Sequence, residues 1–406
     1  MVANKNSAIG RLGVLVVIRL IITYLPAVNV NCPEIIKLIT IVGVYALLFF
    51  YDRRFFFNIW FLLPVFIIDI YSFTISYLYP FHNNALLSSL YSFMRPLSWA
   101  LIGYYYLYNA DNKNARRILS WFTLLYVITA ITTCIGCSVF PNAARLMATG
   151  MDEEQDTFNI YMNYNIGSFS FVYSALVMTP LIICVYRERL INRFVSISLL
   201  ILVFITILYT EYTTALIFFA SCLILLITPK DYSIKKTLFL LFVIVIMMVL
   251  LRPVFAKFLY FISSLLSSEQ MAVRFEDLAN SFAGVQYFDS ADLDSRFERW
   301  ESSWRSFLAS PLVGGEISSG VGGHSFVLDK LALYGLIGLA GELIYFVSLY
   351  RKFVLIGKST FLFKYCVYCL FLQFACACVN PHVFYEPFTL VMPLFFVAFA
   401  GNKNVV

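Results

Sequence analysis

Charged residues are scarce in this sequence. Asp, Glu, Lys and Arg make up 13% of its 406 residues, whereas 61% of the residues are hydrophobic. A soluble globular protein carries about a quarter charged residues and about half apolar residues. The shortage of charge therefore excludes an ordinary soluble domain and indicates a polytopic membrane protein. Nothing in the composition marks off a separate soluble domain.

Histidine is also rare. The chain has three histidines and nine cysteines, and most of the cysteines fall inside apolar runs, where a free thiol behaves as a small hydrophobic group. We therefore expect the cysteines, including Cys134 and Cys137 with their CxxC spacing, to be structural. We expect no metal and no cofactor. The net charge of +6 does not indicate nucleic acid, because the basic residues lie in short loops at the ends of the apolar runs.

Apolar runs recur along the whole chain. A spanning helix needs about 20 mostly apolar residues, and such runs predict an all-α membrane protein with about 12 spans. The chain then divides into residues 1–251 with the first nine spans, a loop over 252–325, and residues 326–406 with the last three spans. The predicted spans are 11–29, 34–51, 55–79, 86–110, 118–140, 168–186, 194–210, 213–228, 237–255, 326–350, 361–379 and 388–401.

Short basic segments alternate with the predicted spans. Cytoplasmic loops of membrane proteins are enriched in Lys and Arg, so the basic segments predict that both termini are cytoplasmic. The same orientation leaves the segments 80–84, 141–167 and 252–325 outside. The predicted cytoplasmic segments are 52–54, 111–117, 187–193, 229–236, 351–364 and the tail with Lys403.

Three further features of the predicted spans and their ends bear on structure. Arg19 and Asp69 fall near the middle of spans, where charge is costly, so we expect them to pair. Residues 252–266 are aromatic-rich and amphipathic, which predicts a helix at the membrane interface. Asn163 and Asn165 precede the sixth span, and capping of that helix is one explanation for them.

The polar stretch 295–338 is the main exception in this apolar chain. Ser295 and Glu298 have the spacing of a capping box, and Pro311 disfavours helical geometry at the residue before it. These signals predict an amphipathic helix over 295–310, at the end of the outer loop. The stretch combines charge, aromatic residues, glycine and histidine, so we expect the functional site there.

Two arginines lie one turn apart near the start of the predicted helix. Arg296 falls in the first turn, where the helix dipole favours an anion over a cation, and Arg299 follows it. Together they are candidates for binding a phosphate or diphosphate. They could instead pair with Asp292 or Asp294, or with lipid headgroups. Trp300 shares a stripe with Arg296 by helical spacing.

A glycine-rich segment over 314–323 leads to His324. The segment lacks the Gly-Lys-Ser/Thr ending of a nucleotide-binding loop. Its glycines instead allow the backbone to approach a bulky ligand closely. His324 lies at the start of the tenth predicted span. It is either a cap or interfacial anchor, or a group that transfers a proton, since imidazole can do so near neutral pH.

Four short motifs follow one another in this stretch: Arg296-x-x-x-Trp300, Ser310-Pro311-Leu312-x-Gly314-Gly315, His324-Ser325-Phe326 and Tyr334-Gly335-Leu336-Ile337-Gly338. Together they resemble the signature of the bacterial O-antigen polymerase and ligase family, with its Wzy-type polymerases and WaaL-type ligases. About 12 spans with one large, late outer loop also agree with this family. The resemblance implies an all-helical, GT-C-like enzyme of the bacterial inner membrane with a periplasmic active site.

The resemblance also implies a reaction. It would be a metal-independent transfer of a glycan from undecaprenyl diphosphate to a hydroxyl of a lipid-linked repeat unit. Arg296 and Arg299 would neutralise the departing diphosphate, and His324 would orient or deprotonate the acceptor hydroxyl. The implied partners are the undecaprenyl-diphosphate-linked glycan, membrane lipids, a chain-length regulator protein and a flippase.

The sequence departs from the family pattern in two places. Serine follows His324 where the family usually has asparagine. The family also carries a Ser-Arg pair at the outer end of the seventh or eighth span, where this chain has Thr210-Glu211-Tyr212. Another arginine at the outer side could replace the missing one. The expected substrate-binding residues are Arg95, Arg145, Arg252, Trp300, Glu211, His382 and Glu386.

Two alternatives to a polymerase stay open. An O-antigen ligase would use lipid A-core as its acceptor, and a flippase or transporter would move the same lipid-linked oligosaccharide without chemistry. A transporter of this kind typically shows internal repeats and a substrate site at the bilayer midplane. No repeat is found here, and the polar residues concentrate in the outer loop. We expect a polymerase, because the chain lacks the ligase-like Ser-Arg pair.

Overall fold

Helices make up all the regular structure in the described part of the chain. A computed structural model describes residues 2–52, 70–71, 73–74, 86–109, 111–140, 143–149, 155–229, 233–265, 269–283, 291–314, 323, 325–357, 361–380 and 386–400. In chain order the elements are α1 (Val2–Tyr24), α2 (Pro26–Asn31), α3 (Glu34–Tyr51), α4 (Leu86–Asn109), α5 (Asn112–Val139), α6 (Ala143–Thr149), α7 (Gln155–Asn163), α8 (Phe169–Arg187), α9 (Arg193–Tyr209), α10 (Thr213–Ile227), α11 (Ile234–Leu250), α12 (Arg252–Leu265), α13 (Glu269–Ala283), α14 (Ala291–Ala309), α15 (Phe326–Gly357), α16 (Leu362–Val379), a π-helix (Glu386–Val391) and α17 (Met392–Ala400).

Long apolar helices run through the protein. Among the described residues, α5, α8 and α16 are long and apolar enough to cross a membrane. Shorter apolar helices occur at Leu12–Tyr24, Arg193–Tyr209, Thr214–Ile227 and Thr389–Phe399. The all-α prediction is confirmed for the described residues, and these apolar helices are those of a membrane-embedded protein. Most of the span predicted over 55–79 lies outside the described residues.

Helix α8 forms the centre of the core. Every residue from Phe171 to Leu181 is buried, and a helix that is apolar all round belongs to the interior of a bundle. Helices α9, α10 and α16 pack around it. Trp99 and Tyr106 of α4 are fully buried in the same core. Packing of this kind holds several helices in fixed relative positions.

A buried arginine joins α1 to α4. The guanidinium carbon of Arg19 lies 3.9 Å from the ring centroid of Trp99, a geometry in which the cation is attracted to the face of the indole. Asp69, the expected partner of Arg19, lies outside the described residues. The pairing of these two charges therefore stays a prediction.

Basic side chains join segments that the sequence predicts to lie on the cytoplasmic side. Nε of Arg116 donates a hydrogen bond to the carbonyl of Ala398 at 3.0 Å, and its guanidinium lies near the ring of Phe399. Nζ of Lys364 donates to the carbonyl of Pro229 at 3.2 Å. The second contact connects two segments that the positive-inside rule assigns to the same side, and the first connects such a segment to the C-terminal end of the last predicted span, next to the basic tail.

Asn165 connects three segments at the predicted outer side. Its Oδ1 accepts a hydrogen bond from the Ala27 N–H at 3.3 Å, and its Nδ2 donates to Oγ1 of Thr132 at 2.9 Å. The residue has a φ of 58°, in the left-handed region that asparagine tolerates better than most residues. The N-cap of α8 is Ser168. Helix capping by Asn165 is therefore wrong, and the residue instead joins α2 to α5.

Much of the outer loop is helical. Helices α12 and α13 form a hairpin in which Leu259 packs against Phe275 and Ala279, and Leu216 of α10 packs against the same cluster. The sequence analysis did not predict α13, although the spacing of Phe275 and Ala279 is helical. The outer face of α12 leaves Val254, Phe258, Phe261 and Leu265 exposed. Such an apolar stripe is typical of a helix at a membrane interface.

Candidate functional site

Helix α14 carries the two predicted catalytic arginines. It begins at Ala291 rather than Ser295 and ends at Ala309, so the capping box predicted at Ser295 is wrong and the predicted end before Pro311 is close. The earlier start has a physical reason, since acidic residues favour the first turn of a helix and the sequence there is Asp292-Leu293-Asp294. Arg296 consequently lies beyond the first turn, where the helix dipole acts on it less. The side chain of Arg296 is outside the described part.

Arg299 lies beside the residue that precedes His324. A Cβ added to Gly323 would lie 3.3 Å from Nη1 of Arg299, so the guanidinium lies in the space beside this glycine. Gly323 has a φ of 95°, a conformation that residues with a side chain rarely adopt. His324 itself is outside the described residues. Arg299 is nevertheless adjacent to the segment that carries the predicted histidine.

A buried carboxylate fastens this segment to α14. Oδ2 of Asp329 accepts a hydrogen bond from the Gly323 N–H at 3.0 Å, and Oδ1 accepts one from the Ser303 hydroxyl at 3.2 Å. Ser303 and Asp329 are both buried. Sequence reasoning missed Asp329. The available signal was a single acidic residue in the first turn of a predicted span, where the helix dipole favours a negative charge.

Ser325 caps the start of α15. Its hydroxyl oxygen accepts a hydrogen bond from the Leu328 N–H at 3.3 Å, and its carbonyl accepts one from the Asp329 N–H at 2.8 Å. Serine is among the best N-cap residues, as is asparagine. An asparagine at this position would supply the same kind of capping side chain.

The start of α15 also contacts the last outer loop. The Phe326 N–H donates a hydrogen bond to the carbonyl of Asn380 at 2.7 Å, and Asn380 is buried. His382 follows two residues later and lies outside the described residues. Glu386 begins the π-helix Glu386–Val391, and its side chain is not described. The contact between Phe326 and Asn380 nonetheless brings the beginning of the His382 loop next to the His324 segment.

Serine side chains line the face of α14 that packs against α15. Ser303 and Ser306 are buried, whereas Trp304 is exposed and Trp300 is half-buried. The Trp304 and Phe307 rings contact each other, with centroids 5.2 Å apart. Small residues let two helices approach closely. The buried serines therefore allow α14 to lie near the start of α15, and Trp300 stays a predicted substrate contact.

The two glycine-containing motifs that flank His324 interlock. Gly335 has a φ of 61° and a ψ of −163°, which breaks the helical geometry of α15. The break lets the Leu336 N–H donate to the Pro311 carbonyl at 2.9 Å, and the Ile337 N–H donate to the Leu312 carbonyl at 3.2 Å. The turn after α14 is thus bonded directly to the kink in α15.

The second region of interest surrounds Glu211, between α9 and α10. Glu211 has a φ of 57° and is half-buried. The hydroxyl of the next residue, Tyr212, donates a hydrogen bond to the Ala144 carbonyl at 2.7 Å. Arg145 follows Ala144 in α6, and its side chain is not described. This bond joins the segment that carries Glu211 to α6, the helix that carries Arg145.

The remaining predicted arginines belong to other parts of the structure. Arg95 is half-buried in α4, and the Ser98 hydroxyl donates to its carbonyl at 2.6 Å. Arg252 is the exposed first residue of α12. The structure therefore does not gather Arg95, Arg145 and Arg252 into one described cluster.

Metal binding was examined among the described side chains. No group of three or more His, Cys, Asp and Glu residues that could hold a metal occurs there. Asp292 and Asp294 have the Asp-x-Asp spacing, and carboxylates are common ligands of divalent cations, but these two side chains lie outside the described part. Metal independence therefore stays a prediction.

Comparisons with known proteins give no relative. No protein-family model, no characterised protein and no solved structure matches this chain. The case for a function rests on the residues themselves and on the contacts between them.

Proposed function

We propose that the protein is a bacterial surface-polysaccharide polymerase of the inner membrane. It transfers a glycan from undecaprenyl diphosphate to a lipid-linked repeat unit on the periplasmic face. The observation that carries this proposal is the position of the Arg299 guanidinium beside Gly323. This position brings a cation of the first motif, Arg296-x-x-x-Trp300, next to the residue that precedes the third motif, His324-Ser325-Phe326. A site for an anionic leaving group and a proton acceptor needs this combination.

The proposed topology has about 12 spans in a GT-C-like arrangement. Both termini are cytoplasmic, and the site between α14 and α15 is periplasmic. The contacts of Arg116 with Ala398 and of Lys364 with Pro229 support this orientation. The first joins the basic segment 111–117 to the predicted cytoplasmic end of the last span, and the second joins the basic segments 351–364 and 229–236, all of which the positive-inside rule assigns to one side. A flippase that supplies the donor and a chain-length regulator are the proposed protein partners.

The proposed reaction is a single displacement. The acceptor hydroxyl oxygen attacks the anomeric carbon of the donor sugar, and the bond from that carbon to the diphosphate oxygen breaks. Undecaprenyl diphosphate leaves with the electron pair, and the hydroxyl proton passes to His324. Arg296 and Arg299 stabilise the charge that develops on the diphosphate, since preorganised positive groups act most strongly where charge appears in the transition state.

Arg145 is the proposed second arginine. The family's Ser-Arg pair would fall where this chain has Glu211 and Tyr212, and the hydrogen bond from Tyr212 to Ala144 attaches the helix of Arg145 at that position. Arg145 can thereby bind the donor diphosphate in place of the arginine of the Ser-Arg pair, although it comes from a different segment.

The proposal is tested by supplying purified protein with a lipid-linked repeat unit. A polymerase makes a ladder of longer glycans on undecaprenyl diphosphate without any further acceptor. A ligase makes no ladder but glycosylates added lipid A-core. A flippase makes neither product and instead moves the donor across the bilayer of a vesicle. The second or third result would overturn the proposed polymerase.

A further inference from the structure

We propose that Asp329 is a positioning residue that sets the distance between Arg299 and the backbone around His324. The structure joins Asp329 to α14 through Ser303 and to the loop through Gly323. This inference rests on the proposed function for its purpose, because it says how that site is held together. The hydrogen bonds themselves can be tested without any activity.

The carboxylate of Asp329 suits this task because its two oxygens accept from two different segments. Oδ1 accepts from the Ser303 hydroxyl, which lies one helical turn beyond Arg299 on α14, and Oδ2 accepts from the Gly323 N–H. Burial of the carboxylate without such donors would cost free energy. Asp329 therefore holds the arginine helix and the loop together.

The chain on both sides of His324 is fixed to the first turn of α15. Gly323 is bonded to the Asp329 side chain, while the Ser325 carbonyl accepts from the Asp329 N–H and its hydroxyl accepts from the Leu328 N–H. A misplacement of about 1 Å in a catalytic arrangement can cost about 100-fold in rate. Loosening of Gly323 alone is therefore expected to affect turnover.

Three substitutions separate positioning from bulk stability. Asp329→Ala removes both hydrogen bonds and is expected to lower the rate at saturating donor by about 10- to 100-fold, with less effect on the apparent donor affinity. Asp329→Asn is expected to retain most of the rate. Its amide oxygen can accept from Gly323 while its NH2 group donates to the Ser303 hydroxyl, which can act as donor or acceptor.

Ser303→Ala removes only the connection to α14. It is expected to lower the rate without loosening the backbone of Gly323, because the bond from Gly323 to Asp329 is retained. Glu301→Ala is the matched control. Glu301 lies on the exposed side of the same helix and pairs with Arg305, outside this set of hydrogen bonds.

Backbone hydrogen exchange provides the readout that does not depend on activity. In the full-length protein, Asp329→Ala is expected to speed exchange of the amide of Gly323 by about 10-fold, the loss of roughly one hydrogen bond. Asp329→Asn, Ser303→Ala and Glu301→Ala are expected to leave it near the wild-type rate. If Asp329→Ala fails to fold, the Asn and Ser303→Ala variants still test the inference.

The outcomes distinguish this inference from the proposed function. Unchanged exchange in Asp329→Ala would overturn the inference, as would an Asn variant with the same turnover and exchange defect as Ala. If the wild-type protein forms no ladder but Asp329→Ala speeds exchange of the Gly323 amide, the proposed polymerase function is overturned. The positioning of the loop by Asp329 is then still supported. A ladder that Asp329→Ala and Ser303→Ala extend at the wild-type rate would support the polymerase and overturn the inference.

Discussion

The backbones of Gly314 and Gly335 lie in direct contact. A Cβ on Gly314 would lie 2.6 Å from the nitrogen of Gly335, and both residues have positive φ angles. Gly314 ends the turn after the arginine helix α14, and Gly335 forms the kink in α15. The contact therefore fixes the two elements that flank the His324 segment at a separation that only glycine permits.

Gly335→Ala is predicted to destabilise the protein. The φ and ψ of Gly335 belong to a region that is accessible essentially only to glycine, and a side chain forced into it costs about 1–3 kcal/mol. The new Cβ would also lie 2.4 Å from the carbonyl oxygen of Leu312. The midpoint of thermal unfolding in detergent should fall. Gly10→Ala is the control, because nothing lies within 4 Å of its added Cβ, and an unchanged midpoint in Gly335→Ala would contradict the interlock.

Gly323→Ala is predicted to lower transfer activity. The substitution places a methyl group 3.3 Å from Nη1 of Arg299 and strains a backbone with a φ of 95°, at a cost of about 1–2 kcal/mol. We expect the rate of glycan transfer to fall by about 10-fold or more, since small displacements of catalytic groups are costly. Initial rates measure the effect. Gly13→Ala, whose Cβ would make an ordinary 3.5 Å contact with the Tyr106 hydroxyl, should keep the wild-type rate.

Arg145→Ala is predicted to weaken binding of the lipid-linked donor. Loss of a charged hydrogen-bond donor typically costs about 1.5–3 kcal/mol, or roughly 10- to 100-fold in affinity. Arg252→Ala should have little effect, because Arg252 is exposed at the start of the interfacial helix α12. The apparent donor affinity of the two variants decides between them. A large loss of donor affinity in Arg252→Ala with none in Arg145→Ala would show that Arg252, rather than Arg145, is the second arginine.

Asn165→Ala is predicted to destabilise the contact between α2 and α5. It removes the hydrogen bonds to Ala27 and Thr132 and leaves alanine in a left-handed conformation, so we expect a loss of about 1–3 kcal/mol in the free energy of unfolding. Asn31→Ala is the control, because the hydrogen bonds of the Asn31 side chain are exposed. Equal losses in the two variants, measured by the unfolding midpoint, would argue against the role of Asn165.

The apolar helices were the part of the fold that sequence could predict. An apolar run is a local property, and the predicted bounds 34–51 and 361–379 agree closely with those of α3 and α16. The start of α14 was less predictable. The capping box predicts a start at Ser295, whereas the acidic residues just before it favour an earlier start. The helix begins at Ala291.

The site was predictable only in part, because its contacts join segments that are distant in sequence. Arg299 and the His324 segment were recognised from the order of four motifs, which is visible in the chain. The role of Asp329 depends on the approach of Ser303 and on the conformation of Gly323. No spacing rule connects these residues, so only the folded arrangement reveals Asp329.

The most direct measurement of the central claim is glycan extension by the purified protein supplied with its lipid-linked repeat unit. The account predicts a ladder of products from the wild-type protein and from Arg305→Ala, whose arginine is exposed and paired with Glu301. It predicts a rate at least about 100-fold lower for Arg299→Ala, the effect of removing one preorganised charge-stabilising group. A wild-type protein that extends no glycan, or an Arg299→Ala variant that extends it at the wild-type rate, would contradict the account.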